Sequence, residues 1–337
     1  MLASRIGLGR RVSSELDAEW SGINDAVALA ETILASAHEQ NIVISNTKQL
    51  VFAMRQGSAG PYQKMSLIAI EQNGVPAFYA KVAVGVDADV MVEAESSCLN
   101  RLSEFSELNG RVPRKFSLGK TPAGRSFFTT SVASFLKTNN QYDLPHMEFL
   151  CKLAHATVQW VCYADSLEIQ LAKQVLKRLC PVLGETLHFE LNSALEELLS
   201  LIGGLVLPTV LAHRDFSPWN MRSNNLEIFV FDWEYATEGI NPLYDFFHFH
   251  LIQRVLSRWC SIPLTPAYVL PLTALALKHL QQTFPEVDWS LKIVKCLLLS
   301  YLVNLILLYV DSGKKYDPNH PVLSEYFNFI MKRKQWF

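Results

Sequence analysis

His213-Arg214-Asp215-Phe216-Ser217-Pro218-Trp219-Asn220, followed by Phe231-Asp232-Trp233-Glu234, is the stretch on which the reading of this chain turns. It sets two acids and an amide at a spacing suited to taking a hydroxyl's proton and holding a divalent cation. Asp215 would accept or orient the hydroxyl. Asn220 follows after a turn in the loop, and Asp232 ends a hairpin that reverses at Asn224-Asn225. An amide oxygen and a carboxylate are hard donors of the kind Mg²⁺ takes alongside phosphate oxygens and water. Taken singly, an Asp ahead of a Pro-containing loop is usually a turn or cap residue; the combination carries the weight.

Outward from this block, the C-terminal half reads as mostly helical. Apolar spacing predicts helices over residues 145–163, 167–179, 192–201, 242–260, 266–283 and 291–310, with a strand over 226–231 ahead of Asp232. Toward the N-terminus the texture changes. Residues 50–54, 65–70, 77–84, 115–118 and 126–131 are short β-type runs. Asn73-Gly74 turns the second into the third, and Pro122-Ala123-Gly124 separates the last pair. Residues 87–108 read as a helix between the third and fourth strands, and 14–40 as a leading helix. The fold class is therefore α+β and bilobal, a five-stranded antiparallel N-lobe with a mostly helical C-lobe. The expected divisions are a helical extension over 1–44, a β-rich lobe over 45–132 and a helical lobe over 133–337.

Composition narrows the partners. The chain has 337 residues, 50% hydrophobic and 18% charged, which suits a globular protein with ordinary cores. Its formal net charge of -2 supplies no clustered Lys and Arg excess for phosphate neutralisation, so no nucleic-acid partner is expected. Cys98, Cys151, Cys162, Cys180, Cys260 and Cys296 form no C-x-x-C pair. They are expected to be buried, reduced thiols in a cytoplasmic protein. Residues 1–12 lack the apolar core and small-residue cleavage site of a secretory signal and read as a frayed terminus, with an organelle-targeting peptide, given Arg5, Arg10 and Arg11, as the alternative. Residues 296–310 form the most apolar run, too short to span and interrupted by Ser300 and Asn304; a core helix is expected, with no membrane span.

The string from His213 to Asn220, then Phe231-Asp232-Trp233-Glu234, then Gly239 and Asn241-Pro242-Leu243-Tyr244-Asp245, resembles the aminoglycoside phosphotransferase and choline kinase group. Members of that group are small-molecule kinases with the protein-kinase-like fold. Their pattern runs H-G-D-x-x-x-x-N, hydrophobic-D-W-E, then G-x-P-x-x-D. The resemblance implies ATP and Mg²⁺ as cofactors and a small-molecule hydroxyl acceptor. It implies Asp215 as catalytic base and Asn220 and Asp232 as metal ligands. Glu234, Trp233 and Arg214 would line or support the substrate region. Asp245 would hydrogen-bond the catalytic-loop backbone from a helix N-terminus, where an acid also suits the helix dipole.

The same resemblance implies a nucleotide site in the N-terminal lobe. Lys81, on the third strand, would neutralise the α- and β-phosphates and pair with Glu95 of the following helix, with Glu93 as the competing partner. The first-hairpin loop from Gln56 to Gly60, with Gly57 and Ser58, would cover the phosphates with backbone N–H groups. Thr130, Ser131 and Val132 would meet the base with their backbone.

Two departures bear on the branch. Arg214 stands where the small-molecule kinases commonly have Gly, which makes that tripeptide like a protein kinase's. Asp232-Trp233-Glu234 replaces D-F-G, however, and no A-P-E element follows, which disfavours a protein substrate. A pseudokinase scaffold is the alternative from another class, and the joint presence of Lys81, Asp215, Asn220 and Asp232 counts against it. Glu234 and Glu238 lie near the motif and Glu185, Glu190, Glu196 and Glu197 precede it, too few to require a polycationic substrate. Trp219, Trp233, Tyr235, Tyr244, Phe246, Phe247 and Phe249 could stack on a sugar or cap a quaternary ammonium, though filling the core is the commoner use of such residues. His248 and His250 read as core or groove-lining side chains. The identity of the acceptor, ATP against GTP and the oligomeric state stay open.

Overall fold

The computed structural model describes residues 31–36, 50–57, 60–133, 137–224, 226–256, 263–313 and 316–337. The chain divides into two compact units, Met1–Ser134 and Phe135–Phe337. Of the leading helix expected over 14–40, residues 31–36 are described and helical; the terminus at 1–12, Ser58, Asn225 and Cys260 lie outside the described residues.

In the first unit, α1 (residues 31–36) precedes β1 (Val51–Gln56), β2 (Lys64–Ile70) and β3 (Pro76–Ala83), and α2 (Val86–Leu102) precedes β4 (Lys115–Lys120) and β5 (Ser126–Thr130). All five expected strands form one antiparallel sheet in the order β1-β2-β3-β5-β4. At the β2–β3 turn Gly74 takes φ 84°, and its N–H donates to the Glu71 carbonyl at 2.8 Å. That left-handed conformation is open to glycine without steric cost.

Period-two alternation splits the sheet into two faces. Met65, Leu67 and Ala69 of β2 pair with Val82, Ala80 and Phe78 of β3, and with Ile33 and Phe127 they make one apolar core. Lys81 falls on the other face, in register with Ser66 and Phe128. There α2 packs on β3, β4 and β5, burying Ala88, Val92, Glu95, Ser96, Leu99 and Leu102 at helical spacing. The helix stops sooner than its expected end at 108, giving way to a 3-10 turn at Ser106–Leu108.

The second unit contains α3 (Leu144–Thr157), β6 (Gln159–Cys162), α4 (Leu167–Leu183), α5 (Glu185–Ile202), β7 (Val206–Ala212), β8 (Met221–Ser223), β9 (Ile228–Val230), β10 (Thr237–Ile240), α6 (Tyr244–Leu256), α7 (Pro266–Thr283), α8 (Leu291–Gly313) and α9 (Pro321–Met331). Three of these strands correct the sequence expectation. The helix expected over 145–163 ends at Thr157, and β6 takes the place of its end, because Gln159 to Cys162 pairs with β7. β7 is central in a three-stranded sheet, β10-β7-β6, and is buried over six of its seven residues. Pro208 within it pairs with Trp160 of β6 but lies outside the β10 ladder, whose pairs are Thr237 with Ala212 and Ile240 with Val210.

α8 is the axis of this unit, with α4, α5, α6, α7 and α9 packed around it. It is long and apolar enough to cross a membrane, with a mean hydropathy of 2.2 in its best window, yet 83% of that window is buried within the protein. Five cysteines are described and all are free thiols, but only Cys296 is buried. Cys98, Cys151 and Cys162 are half-buried and Cys180 is exposed, which corrects the expectation of uniform burial.

Candidate active site

The first unit contains a buried ion pair. Lys81 Nζ lies 2.5 Å from Glu95 Oε2, with both side chains under a tenth exposed. Burying two charges is costly unless they are paired, so this pair fixes both side chains against one another. Glu93 is engaged elsewhere. Its carboxylate accepts from Lys120 Nζ at 2.8 Å and Ser126 Oγ at 2.7 Å, and the Lys120 hydrogen bond draws its pKa down. One turn earlier Asp89 binds Arg125 Nη1 and the Ser126 N–H, both at 2.6 Å. α2 is thus clipped to the β4–β5 hairpin by two acids and presents the third, Glu95, to Lys81.

Other N-terminal positions sort differently. Gly57 closes the β1–β2 ladder, its N–H donating to the Lys64 carbonyl at 2.8 Å, and a Cβ there would sit 2.9 Å from that same oxygen. Thr130 ends β5 and is buried. Ser131 is tied to Arg114 twice: its N–H donates to the Arg114 carbonyl, and its Oγ accepts the Arg114 N–H, both at 2.9 Å. The Ser131 amide is therefore already used.

In the second unit β7 runs straight into His213, so the catalytic-type loop starts from a buried strand. The loop is held from three sides. Asp245, in the first turn of α6, accepts the His213 N–H at 2.7 Å on one carboxylate oxygen and the Arg214 N–H at 2.9 Å on the other. Burial raises the Asp245 pKa, against the pull of His213 and those N–H donors. The His213 ring accepts the Asp215 N–H on Nδ1 at 3.2 Å, so Nε2 carries the proton and donates to the Phe231 carbonyl at 3.0 Å. One imidazole thus joins the segment of Asp215 to that of Asp232. The Phe231 N–H donates to the Asn220 carbonyl at 3.0 Å and closes the ring of contacts.

The Asp215 carboxylate is surrounded by donors. Asn220 Nδ2 lies 2.7 Å from Oδ2; His248 Nε2 lies 3.1 Å and Ser217 Oγ 3.4 Å from Oδ1. With its nitrogen turned to Asp215, Asn220 keeps Oδ1 as the atom available to a cation. Asp232 follows β9 with φ 72°, a left-handed conformation that a short acid tolerates better than most residues. A carboxylate oxygen of Asp232 and one of Glu234 lie within 4.8 Å of one another. Asn220 Oδ1, Asp232 and Glu234 are all oxygen donors, which suits Mg²⁺.

Supporting residues separate into core and surface. Trp233 is wholly buried, donates Nε1–H to the Val230 carbonyl at 2.9 Å and packs on His213 with ring centres 4.5 Å apart. It braces the loop. Tyr244, Phe246, Phe247 and Phe249 are likewise buried, whereas Trp219 is 44% exposed and Tyr235 half-buried. Arg214 takes φ 66°, donates to Thr237 Oγ1 at 3.3 Å and lies over the Tyr244 ring. That is a backbone shape glycine adopts without steric cost, and Arg is held in it here. Gly239 takes φ 70°, and a Cβ on it would meet Leu167 Cβ at 2.7 Å.

Sequence reasoning missed two contributors. His248 reads in the sequence as core or groove lining, and its contact with Asp215 depends on α6 packing under the loop. Glu168 at the start of α4 is fully buried, accepts from Tyr163 Oη and from the Asn241 side chain and N–H, and so anchors the turn that precedes Asp245. A lone Glu at a helix start gives no sequence signal of that role.

The model of the phosphotransferase enzyme family matches residues 75–278. The chain belongs to this family. The matched segment contains Lys81, Glu95, Asp215, Asn220, Asp232 and Asp245. As a family member the protein is a small-molecule phosphotransferase, a kinase acting on hydroxyl acceptors. Among solved structures it is similar to a thermostable mutant of aminoglycoside phosphotransferase APH(4)-Ia in a ternary complex with AMP-PNP and hygromycin B, at 14% identity and a TM-score of 0.57, covering 88% of this chain and 98% of that one. A putative fructosamine-3-kinase from Haemophilus somnus 129PT gives 14% identity and a TM-score of 0.55, with 91% and 99% covered. The GDP complex of aminoglycoside 2'-phosphotransferase-IIIa gives 14% and 0.51, with 89% and 98% covered. At these identities the likeness is one of fold. Comparison with curated proteins finds no match. In this phosphotransferase Arg214 and Asp232 take left-handed backbone, and Gly239 closely approaches Leu167.

Proposed function

We propose that the protein transfers the γ-phosphoryl group of ATP, with Mg²⁺, to a hydroxyl of a small polar metabolite such as a sugar, an amino alcohol or an aminoglycoside-like compound. The observation that carries this reading is the Asp215 carboxylate, held by Asn220 and His248 in a loop that Asp245 and His213 anchor. A carboxylate so restrained needs no reorganisation when a hydroxyl presents its proton, and positioning of this kind is most of what phosphoryl transfer asks of a protein.

In the proposed step the acceptor O–H proton passes to Asp215, an O–P bond forms at the γ-phosphorus, and the bond to the β,γ-bridging oxygen breaks with its electrons leaving on ADP. Lys81, held by Glu95, would offset charge on the α- and β-phosphates. Asn220 and Asp232 would hold Mg²⁺, with Glu234 beside them; the metal supplies charge neutralisation at the phosphates. Val132 would contact the nucleotide through its backbone, whereas the Gly57 N–H is taken by the Lys64 carbonyl, like that of Ser131 by Arg114. The AMP-PNP complex of the APH(4)-Ia mutant supports an adenine nucleotide, and the hygromycin B in it supports a polyhydroxylated acceptor. Trp219, exposed beside Asn220, offers a ring face for such a molecule. The free thiols fit a reducing, cytoplasmic setting.

ADP release measured over a panel of sugars, amino alcohols and aminoglycosides tests the proposal. One acceptor class should give turnover that requires Mg²⁺. Asp215→Asn should lower that turnover by at least about 10³-fold while Mg²⁺-ATP still binds by calorimetry. Wild-type turnover in the Asn variant would remove Asp215 from its role.

A further inference from the structure

The first two turns of α6 touch the catalytic loop at two points three residues apart. Asp245 takes the backbone N–H groups of His213 and Arg214, and His248, on the same face of the helix, reaches the Asp215 side chain. His248 is 2% exposed at its side chain and Asp215 30%, so the carboxylate is open on one side and backed by imidazole on the other. Behind His248 the contacts continue inward: Tyr301 Oη of α8 lies 3.4 Å from Nδ1, and Tyr326 Oη of α9 lies 3.0 Å from Tyr301 Oη. The Tyr244 ring is parallel to the imidazole, 6.4 Å between centres. If Tyr301 donates to Nδ1, then Nε2 carries the hydrogen and points it at Asp215 Oδ1.

We infer that His248 is a positioning residue for phosphoryl transfer, donating Nε2–H to Asp215 Oδ1 and so fixing which face of the carboxylate meets the acceptor hydroxyl. The inference rests on the reading of Asp215 as the group that takes the acceptor's proton. Oδ2 is already held by Asn220, and an unrestrained Oδ1 would let the carboxylate rock about that single strong contact. Ser217 has one hydroxyl hydrogen and lies nearer the Asp215 carbonyl, at 3.2 Å, than Oδ1, at 3.4 Å, so it does not prevent this. Tyr301, backed by Tyr326, keeps the imidazole from flipping and fixes its tautomer, in the way an outer partner orients a ligating histidine. Two helices remote in sequence from the loop, α8 and α9, thereby set the geometry of Asp215.

A matched pair of substitutions tests this. In His248→Gln the amide nitrogen reaches the position of Nε2; in His248→Asn it reaches only that of Nδ1. Glutamine is also the closer of the two to histidine in volume, so His248→Leu, which fills the space without a donor, is assayed alongside: it should lose as much kcat as His248→Asn, and a Leu variant as active as the Gln variant would mean that His248 only fills space and would overturn the inference. With the acceptor found in the panel, His248→Asn should lower kcat about 10- to 100-fold with KM for ATP and acceptor within about 2-fold, and His248→Gln should recover most of the loss. Tyr301→Phe, which removes only the hydroxyl, should lower kcat by about 2- to 5-fold at unchanged KM. Equal kcat in the Gln and Asn variants, or a loss expressed in KM, would overturn the inference. Asp215→Asn assayed alongside separates the two readings: an inactive Asp215→Asn with a fully active His248→Asn sinks only the role of His248, and an active Asp215→Asn sinks both.

Discussion

Arg214 and Asp232 carry the two positive φ values found outside glycine among the described residues, and each adjoins a group with chemistry. Left-handed backbone costs a non-glycine residue about 1–2 kcal/mol, so it persists only where other contacts outweigh it. For Arg214 the outweighing contact is Asp245, whose two carboxylate oxygens take the His213 and Arg214 N–H groups. Asp245→Asn would turn an amide NH2 against one of those N–H groups. It is expected to cost about 2–4 kcal/mol, read as a lower denaturant midpoint at unchanged slope, and to slow turnover. Asp215, Asn220, Asp232 and Asp245 were legible in the sequence because they sit in one block with fixed spacing. His248 was not, since its partner is 33 positions away and the link is made by a helix passing beneath a loop.

At the scale of elements, strength of periodic signal decided what could be read. The strands of the first unit alternate between two faces and turn at Gly74 and Gly124, so pattern and punctuation agree. β6, β7 and β10 were missed for physical reasons. β7 is buried on both faces and shows no alternation, and β6 and β10 have four residues each and take their conformation from pairing with it. The end of β10 also illustrates how closely elements approach near the loop. Gly239→Ala would add left-handed strain and drive a Cβ to 2.7 Å from Leu167 Cβ, on the neighbouring α4. A loss of about 2–4 kcal/mol is expected in chemical denaturation, and a variant as stable as wild type would mean that β10 and α4 can separate at no cost.

At the scale of the molecule, the second unit buries histidines that stay neutral. Burial pushes the pKa of both His250 and His279 down to about 4 from the ordinary 6.5. In the unfolded chain they regain the ordinary value, so between these limits the unfolded state binds more protons and stability falls as pH falls. The stability is fully present above pH 6.5 and lost progressively toward pH 4, by about 3 kcal/mol for each histidine. Urea midpoints at pH 7.5 and 5 should show the drop, and His279→Leu should show a shallower one; equal slopes would exclude His279 as a contributor.

α8 has a consequence for how the protein is made. A ribosome releases α4, α5, α6 and α7 before the helix they pack around has been synthesised, so their apolar faces wait without a partner until residues 291–313 emerge. Domains fold as units during synthesis at about 5–20 residues per second, and apolar surface exposed in the interval invites aggregation. The second unit is therefore expected to collapse late, to lean on chaperones, and to tolerate truncation ahead of α8 poorly.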